Sequence, residues 1–449
     1  MHQEEYNCEI EKFLEVAKRS IKRGDIADME ALEQGMRDAA LRDGSNALSK
    51  LLSEMPDYNG NEILCYRCGK SMDNLGVRKK ELISLLGKGI ISRKYYECTD
   101  TDCKEHRFPK DELLDILGTS FSPGVRRLMS KSGSNDAFGK GQLDIKEYCG
   151  IEVGTKDVER ISELIGNDIE KWQKDERTKI MSQVMPVCSI KNIPVMYIEF
   201  DGTGVPVIKE EVKGRKGKQE DGSAKTRESK LGCIFTQTTT DERGHAIRDK
   251  NSSTYVGAIE TAEEFGKRLE AEAIRRGLWR AETIVVLGDG AAWIRNIVEE
   301  HFYGAIHIVD FYHAKEHLHK LLQLLFQITE KLKEQEPIWL KWFEDGNIEE
   351  IIKTAKELHP DPDKICKNIE IEIGYFEENI NRMRYAEYKK KGLFIGSGVI
   401  EAGCKAVIGK RLKQSGMRWS VNGANSIISL RCCVISGRFD EYWESRVAI

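Results

Sequence analysis

Three aspartates follow apolar runs that have the length of buried β-strands. Asp201 ends the first run, Asp289 follows the run 284–287 between two glycines, and Asp310 follows the run 306–309. Continuous β-branched runs of this kind are typical of strands covered on both faces of a sheet. Aspartate also begins turns well, which explains any one of these positions without further chemistry. Three carboxylates at strand ends together favour a site that holds a metal ion.

A further carboxylate, Glu401, follows Ser397, which is expected to cap a helix. The helix dipole favours a glutamate in the first turn, which is a purely structural explanation for it. Two strand-end aspartates and a helix-borne glutamate are also the ligands that two Mg²⁺ or Mn²⁺ ions require. Two ions roughly 4 Å apart activate the attacking oxygen and stabilise the leaving oxygen in a displacement at phosphorus. The residues alone leave Asp289 and Asp310 as equal candidates for the second aspartate.

Four of the twelve cysteines form two close pairs, while the other eight are scattered. Cys65 and Cys68 have the spacing of a zinc knuckle, and Cys98 and Cys103 follow about 30 residues later. The second pair has four intervening residues instead of two, so His106 could replace one of these cysteines as a ligand. The alternative interpretation is that the four thiols are unrelated and bind no metal. The pattern predicts one structural Zn²⁺ that holds a small module folded.

The segment 402–439 contains seven basic residues and no acidic residue, although the whole chain has a net charge of −4. A patch of one sign suits a polyanion such as DNA. A solvated helix face whose acidic partners lie elsewhere is the alternative. Trp419 offers a flat face for an unpaired base, unless it is buried against the sheet. The candidate DNA-binding residues are Lys405, Lys410, Arg411, Lys413, Arg418 and Trp419.

The composition excludes several classes of protein. The 449 residues are 40% hydrophobic and 32% charged, which is typical of globular chains with two or three domains. No apolar run approaches the roughly 18 residues of a membrane span, and the N-terminus is unlike a signal peptide. We therefore expect a cytoplasmic protein without a membrane partner.

The order of periodic segments predicts an α/β protein with an all-helical insertion. The segment around residues 148–166 has the pattern of a helix-turn-helix, with a turn at Val153 and a new helix from Thr155, although a plain helical hairpin gives the same pattern. The expected regions are N-terminal helices (1–55), a zinc-ribbon-like module (56–115), a helical DNA-binding region (116–190), a mixed-sheet core (191–315), a helical insertion (316–392) and the last part of the core (393–449).

Several motifs resemble those of the ISKra-type bacterial insertion-sequence transposases, which are DDE enzymes akin to the Mutator-type transposases. They include "YIEFDGTGVPV", "VVLGDGAAWI", "VDFYHAKEHL" and "GLFIGSGVIEAGCKAVIGKRLKQSGMRW". The resemblance runs from about residue 115 to the C-terminus and is looser before that. It implies an RNase H-like core with a helical insertion before the final glutamate.

By this resemblance the catalytic carboxylates and ligands of two Mg²⁺ or Mn²⁺ ions are Asp201, Asp289 and Glu401. Asp310 and His313 match a supporting Asp/Cys-x-x-His element, as neighbours of the ligands or contacts to DNA phosphate. The implied reaction is hydrolysis at the ends of an insertion sequence, which frees a 3′-OH, followed by attack of that 3′-OH on target DNA. The implied partners are terminal repeats, target DNA and further copies of the chain, in a nucleoid-associated bacterial protein.

Two other functions fit the same residues. One is an RNase H-like nuclease that cuts DNA without joining it, which would have less need of a zinc module and a helical DNA-reading region. The other is a domesticated DNA-binding protein whose fold is intact but whose active site is unused.

Overall fold

The computed structural model describes residues 9–22, 29–57, 62–182, 192–217, 219, 222–358 and 364–447. The chain divides into two compact units, Met1–Ser162 and Glu163–Ile449. The helix that spans the boundary is α6 (Thr155–Met181). No helix in these described ranges has both the length and the apolar character that crossing a bilayer requires.

The first unit combines helices with a small antiparallel sheet in the order β1-β2-β3. Strands β1 and β2 form a long hairpin whose turn joins Ser84 to Gly87. Gly87 has a positive φ of 108°, which favours glycine at this turn. The elements of this unit before α6 are α1 (Glu9–Lys22), α2 (Met29–Glu54), β1 (Met72–Ser84), β2 (Gly87–Cys98), β3 (His106–Arg107), α3 (Pro109–Leu113), α4 (Pro123–Asn135) and α5 (Phe138–Cys149).

The second unit is built on a mixed five-stranded sheet in the order β10-β9-β4-β5-β8. Strand β4 pairs parallel with β9 and antiparallel with β5, while β10 continues the parallel half and β8 the antiparallel half. A separate two-stranded ribbon joins β6 to β7. The strands are β4 (Ile193–Pro206), β5 (Thr226–Gln237), β6 (Thr239–Thr240), β7 (Ala246–Ile247), β8 (Thr254–Ala258), β9 (Ala281–Gly288) and β10 (Ile306–Val309).

Helices cover the sheet and form the long insertion after β10. The helices next to the strands are α7 (Ala262–Arg275) and α8 (Ala292–His301). The insertion contains α9 (Phe311–Leu325), α10 (Thr329–Asp345), α11 (Ile348–Glu357), α12 (Lys364–Asn379) and α13 (Tyr385–Lys390). The C-terminal segment contains α14 (Gly398–Gly403), a π-helical turn (Cys404–Gly409), α15 (Lys410–Leu412), α16 (Val421–Ile435) and α17 (Phe439–Val447).

The two faces of β4 serve different purposes because successive side chains point to opposite sides of a strand. Met196, Ile198 and Phe200 are buried against α7 and α8 in the main apolar core of the unit. The odd-numbered residues point to the other face, which the C-terminal segment covers. The apolar face anchors the strand, and the other face is left to carry polar groups.

The mixed sheet and the helical insertion agree with the sequence predictions. The helix break at Gly150 and the new start at Thr155 also agree, and Gly150 adopts the left-handed conformation that ends α5. Within the N-terminal region, the sequence pattern predicts one helix that stops at Gly24 and a second from about Ile26 to Arg42, whereas α2 continues to Glu54. Gly24 and Ile26 themselves lie outside the described residues.

Gly166 on α6 allows a close crossing with α16. A Cβ at this position would lie 2.0 Å from the backbone oxygen of Ser426. We expect Gly166→Ala to lower the free energy of unfolding by about 1–3 kcal/mol, because a backbone atom cannot move aside as a flexible side chain does. Gly374→Ala in α12 is the matched control, since a Cβ there meets nothing within 4 Å. Chemical denaturation should show this control unchanged or stabilised by up to about 1 kcal/mol.

Candidate functional site

The strand registers place Asp201, Asp289 and Asp310 side by side across the sheet. Glu199 on β4 pairs with Leu287 on β9, so Asp201 and Asp289 lie two residues further on, level with each other. The pairing of β9 with β10 ends at Val309, directly before Asp310. The expectation that Asp201 ends its strand is wrong, because β4 continues to Pro206 beside β5. Asp201 instead lies where the parallel neighbour stops.

The polar face of β4 contacts the C-terminal segment in sequence order. The Tyr197 hydroxyl accepts a hydrogen bond from Phe394 N (3.2 Å), and Glu199 Oε2 accepts one from Ile400 N (2.8 Å). The next contacts along this face are Asp201 with the Cys404 thiol (3.9 Å), Thr203 with Lys413 Nζ (2.5 Å), and the backbone pairing of Pro206 and Ile208 with Trp419. These contacts fix where Glu401 lies relative to Asp201.

Asp201, Asp289 and Glu401 line one cleft of about 310 Å³. They come from β4, from the residue after β9, and from α14, so three separate parts of the chain meet there. Asp310, His313 and Glu316 also line the cleft. The role of the three carboxylates as ligands stays a prediction, but their meeting in one cleft is what such a role requires.

Each of the two aspartates keeps one oxygen free of backbone contacts. Asp201 Oδ1 accepts from Gly202 N (2.6 Å), and Asp289 Oδ1 accepts from Ala291 N (3.0 Å). These bonds orient the carboxyl groups and leave Oδ2 of each without a backbone donor, although Asp201 Oδ2 contacts the Cys404 thiol. Burial, and then the negative charges of Asp289 and Glu401, raise the pKa of Asp201. The three groups therefore repel one another, which a bound divalent cation would relieve.

The carboxylates do not enclose a single ion as they stand. Among the described residues, four cysteines form a group whose ligand atoms all lie within 4.8 Å of one another. The carboxylates of the cleft do not form such a group. A pair of ions needs more widely spaced ligands than one ion does. Glu401 is on an exposed side of α14, so its side chain has room to move.

Asp310 is a buried support for the cleft, only 3% exposed. Its Oδ1 accepts from His313 N (2.6 Å) at the start of α9, and its Oδ2 accepts from Ser397 N (2.5 Å) just before α14. Both oxygens are therefore occupied by backbone donors. These contacts favour a supporting role, because a buried carboxylate facing two backbone N–H groups has no surface to offer to phosphate.

Glu199 is a buried carboxylate that the sequence predictions missed. It has no exposed surface, and its Oε1 has no hydrogen-bond partner among the described residues. Burial raises the pKa of Glu199 to about 8. The period-two alternation of β4 could have revealed it, since Glu199 and Asp201 lie on the same strand face.

The buried Glu199 predicts a pH dependence of stability. Its pKa is near 4.3 in the unfolded chain and about 8 in the folded protein, so the folded state retains a proton that the unfolded state releases between these values. The stabilising contribution is complete below the lower pKa and is lost as the pH rises through the higher one. Relative to Glu199→Gln, the wild type should lose about 1.4 kcal/mol of unfolding free energy per pH unit between about pH 5 and pH 8.

Denaturation with a chelator present measures this difference without bound cations. Glu316→Gln, which removes an exposed carboxyl from the same cleft, should keep the wild-type slope. Parallel slopes for wild type and Glu199→Gln would contradict a protonated Glu199 in the folded state.

The insertion supports the cleft from α12. The His313 ring lies 5.0 Å from the His317 ring, which stacks on Tyr375 at 3.8 Å and contacts Glu372 through Nδ1 (2.5 Å). Tyr375 also packs against Gly290, where a Cβ would lie 2.6 Å from its ring. A glycine directly after Asp289 therefore lets α12 approach the second aspartate.

The basic C-terminal residues divide into exposed and buried groups. Lys405, Lys410, Lys413 and Arg418 are exposed, as DNA contacts require. Lys405 Nζ lies 3.9 Å from Glu401. The structure contradicts the other two candidates, because Arg411 has no exposed surface and Trp419 is 7% exposed. Neither side chain is available to DNA in this conformation.

Trp419 and the remaining arginines of this segment have structural partners instead. The Trp419 indole donates to Leu412 O (3.1 Å), and Arg411 lies over its ring. Arg438 pairs with Glu176 and Glu441 at 2.8 Å each. For Arg438 the acidic partners therefore lie outside the segment 402–439, but its side chain is buried and does not form the solvated face of the alternative interpretation.

A π-helical turn from Cys404 to Gly409 interrupts the helix after Glu401. Such a turn shifts the backbone acceptors out of the usual helical pattern. Arg431 compensates, because its guanidinium donates to Val407 O (2.7 Å) and to Ala406 O. The regular helix expected here is therefore wrong in this turn.

The four cysteines of the first unit form a metal-binding group. All four sulfurs lie within 4.8 Å of one another, with Cys65–Cys103 at 3.6 Å and Cys68–Cys98 at 3.4 Å. A tetrahedral zinc with bonds of about 2.3 Å separates its sulfur ligands by about 3.8 Å. The group could therefore bind a metal such as zinc. The alternative ligand His106 is not part of it.

The backbone around Cys65 supports a thiolate, whereas burial and the neighbouring thiols raise the pKa of Cys98 and of Cys103. Gly69 has a φ of 74° and donates to Cys65 O (2.9 Å), which closes the first knuckle. Backbone N–H groups, that of Cys68 first, lower the pKa of Cys65 to about 7. Lys104 has a φ of 52° directly after Cys103, a conformation that costs a non-glycine residue about 1 kcal/mol or more. A bound ion would offset this strain.

We expect purified protein to contain about one zinc per chain and Cys65→Ser to lose it, because three thiolates and a hydroxyl bind zinc far more weakly than four thiolates do. Elemental analysis measures the stoichiometry, and thermal unfolding with and without chelator measures the stabilisation. Cys149→Ser is the matched control, since Cys149 belongs to the same unit but not to the group. Zinc-free protein from zinc-supplemented cultures would contradict the assignment.

Comparison with known proteins gives a family for nearly the whole chain. Residues 27–445 match the family described as "Uncharacterised protein family (UPF0236)". The "UPF0236 protein in vanSb 3'region" of Streptococcus gallolyticus is 22% identical over 424 residues, which cover 89% of this chain and 86% of that protein. The solved Drosophila P element transposase strand transfer complex is similar over 72% of this chain and 80% of that chain, at 9% identity and a TM-score of 0.23. A score this low supports no conclusion about fold or function.

Proposed function

The chain belongs to UPF0236, and we propose that it is a DDE-type DNA transposase that cuts and joins phosphodiester bonds at the cleft of Asp201, Asp289 and Glu401. The observation that carries the proposal is this cleft, to which three parts of the chain each contribute one carboxylate. The resemblance of the surrounding motifs to ISKra-type transposases supports it. The mixed sheet, with its antiparallel hairpin before two parallel strands, is consistent with an RNase H-like core.

The donor atoms in the cleft fit Mg²⁺ or Mn²⁺. Asp201 and Asp289 each have one oxygen fixed by a backbone N–H and a second oxygen without a backbone donor, and Glu401 is exposed enough to turn toward an ion. Hard cations prefer such oxygen ligands. When bound, two ions would activate the attacking oxygen and neutralise charge on the phosphate.

The chain's own residues do the positioning. The β4 and β9 registers hold Asp201 level with Asp289, and the Glu199–Ile400 bond holds α14 against β4. Lys405 and Lys413 bring positive charge to the edge of the acidic cleft, where the phosphates that flank the reacting one would lie. Phosphate contacts of this kind orient DNA without reading its sequence.

Replacing any of the three carboxylates by its amide should abolish DNA cleavage while DNA binding persists. We expect Asp201→Asn, Asp289→Asn and Glu401→Gln each to lower the cleavage rate by roughly 10³-fold or more, because an amide is a poor ligand for a hard cation. Duplex oligonucleotides made from inverted repeats that flank the gene are the substrates, with Mg²⁺ or Mn²⁺ added. Full cleavage by Glu401→Gln would remove Glu401 from the site.

Glu316→Gln is the matched control, because Glu316 is a carboxylate in the same cleft that the proposal leaves out. It should retain cleavage within roughly tenfold of the wild type. The products distinguish the proposal from its alternatives. Joined strands indicate a transposase, cut but unjoined strands indicate a nuclease, and binding without cutting indicates a DNA-binding protein.

A further inference from the structure

Tyr312 is an exposed aromatic side chain at the carboxylate cleft. It is the second residue of α9, is 65% exposed, and lines the cleft together with His313 and the three carboxylates. Single exposed aromatic side chains are ordinary on protein surfaces. Tyr312 differs from the other exposed tyrosines of the described chain, because it lies beside the candidate reacting centre.

The ring of Tyr312 is supported on one side and open on the other. It packs edge-to-face against the buried Phe311 at 5.5 Å. It also lies over Gly396, where a Cβ would come within 2.9 Å of its Cε2 atom. The first turn of α9 is itself held by the Asp310 cap. Little conformational entropy would therefore be lost when a flat ligand covers the open side.

The charge of the cleft limits which part of DNA can approach this ring. The described lining residues include five carboxylates and no lysine or arginine. A phosphate is repelled there unless divalent cations neutralise it. A nucleobase is neutral and has a π face, so stacking on Tyr312 incurs no Coulomb penalty.

We propose that Tyr312 is the stacking platform for one unstacked nucleobase next to the phosphodiester held at the carboxylates. This inference rests on the proposed function and names the part of the substrate that the edge of the cleft binds. Stacking of one base on an aromatic side chain strengthens binding by about 5- to 150-fold. Tyr312 thus takes the role that Trp419, buried and hydrogen-bonded to Leu412, cannot perform.

Charge-matched oligonucleotides test the inference without knowledge of the terminal repeats. Fluorescence anisotropy compares a roughly 20-nucleotide thymidine oligomer with an abasic oligomer of equal length, using the full chain with Mg²⁺. The wild type should bind the thymidine oligomer more tightly. Tyr312→Ala should lower the ratio of the two affinities by about 5- to 150-fold, while its affinity for the abasic oligomer stays near the wild-type value.

Three variants control for surface and packing effects. Tyr303→Ala removes a tyrosine that is 93% exposed and lies away from the cleft, so it should keep the wild-type ratio. Tyr312→Phe keeps the π face and should keep the ratio as well. Tyr312→Leu keeps an apolar side chain over Gly396 but has no π face, so its preference for the thymidine oligomer over the abasic oligomer should fall. This variant tests the inference even if Tyr312→Ala fails to fold.

The results separate this inference from the proposed function. A wild-type protein that neither cuts nor binds any DNA contradicts the proposed function and the stacking role together. A wild-type protein that cuts flanking repeats, while Tyr312→Ala or Tyr312→Leu keeps its preference for bases over abasic DNA, overturns the stacking role alone. A wild-type protein that binds both oligomers equally also overturns it.

Discussion

The buried carboxylate of Asp310 is the interaction on which the arrangement of the cleft depends. It accepts one hydrogen bond from the start of α9 and another from Ser397, so it joins the two ends of the helical insertion at one point. A second bond between these ends runs from Phe311 N to Ile395 O (2.9 Å). This closure holds the segment that carries Glu401 against the start of α9, in addition to the contacts that hold it against β4.

The insertion is therefore part of the site as well as an addition to the core. Its helix α12 packs Tyr375 against the glycine that follows Asp289, and its first helix carries Tyr312 and His313. His317 on α9 stacks on Tyr375 of α12 and meets His313 edge-to-face, so these ring contacts connect the two helices beside the cleft. Changes within the insertion can thus alter the cleft without touching any of the three candidate ligands.

The sequence predicted the features that depend on local pattern. Apolar runs ending in aspartate located β9 and β10, and the cysteine spacing located a group of four thiols that could bind zinc. It did not predict the burial of Trp419 or Arg411, because an aromatic or basic residue in a polar helix carries no local sign of what will cover it. Glu199 could not be singled out because one charge within an apolar run does not interrupt the strand pattern, and its burial depends on the C-terminal segment that covers it. The residues alone left Asp289 and Asp310 as equal candidates, and the resemblance favoured Asp289. The hydrogen bonds of Asp310, which come from residues distant in sequence, support the same choice, although the ligand role of Asp289 stays a prediction.

The π-helical turn after Glu401 has a consequence for the orientation of the basic residues beyond it. Each residue of an α-helix turns the chain by about 100°, so one additional residue within a turn rotates everything that follows. The turn at Cys404–Gly409 thereby sets the angle at which Lys413 meets Thr203, and Arg431 holds that angle through the carbonyls of Ala406 and Val407. The buried Arg431 on α16 thus stabilises the rotation of this segment about its axis. It thereby determines the direction in which Lys413 points relative to Glu401 at the start of the segment.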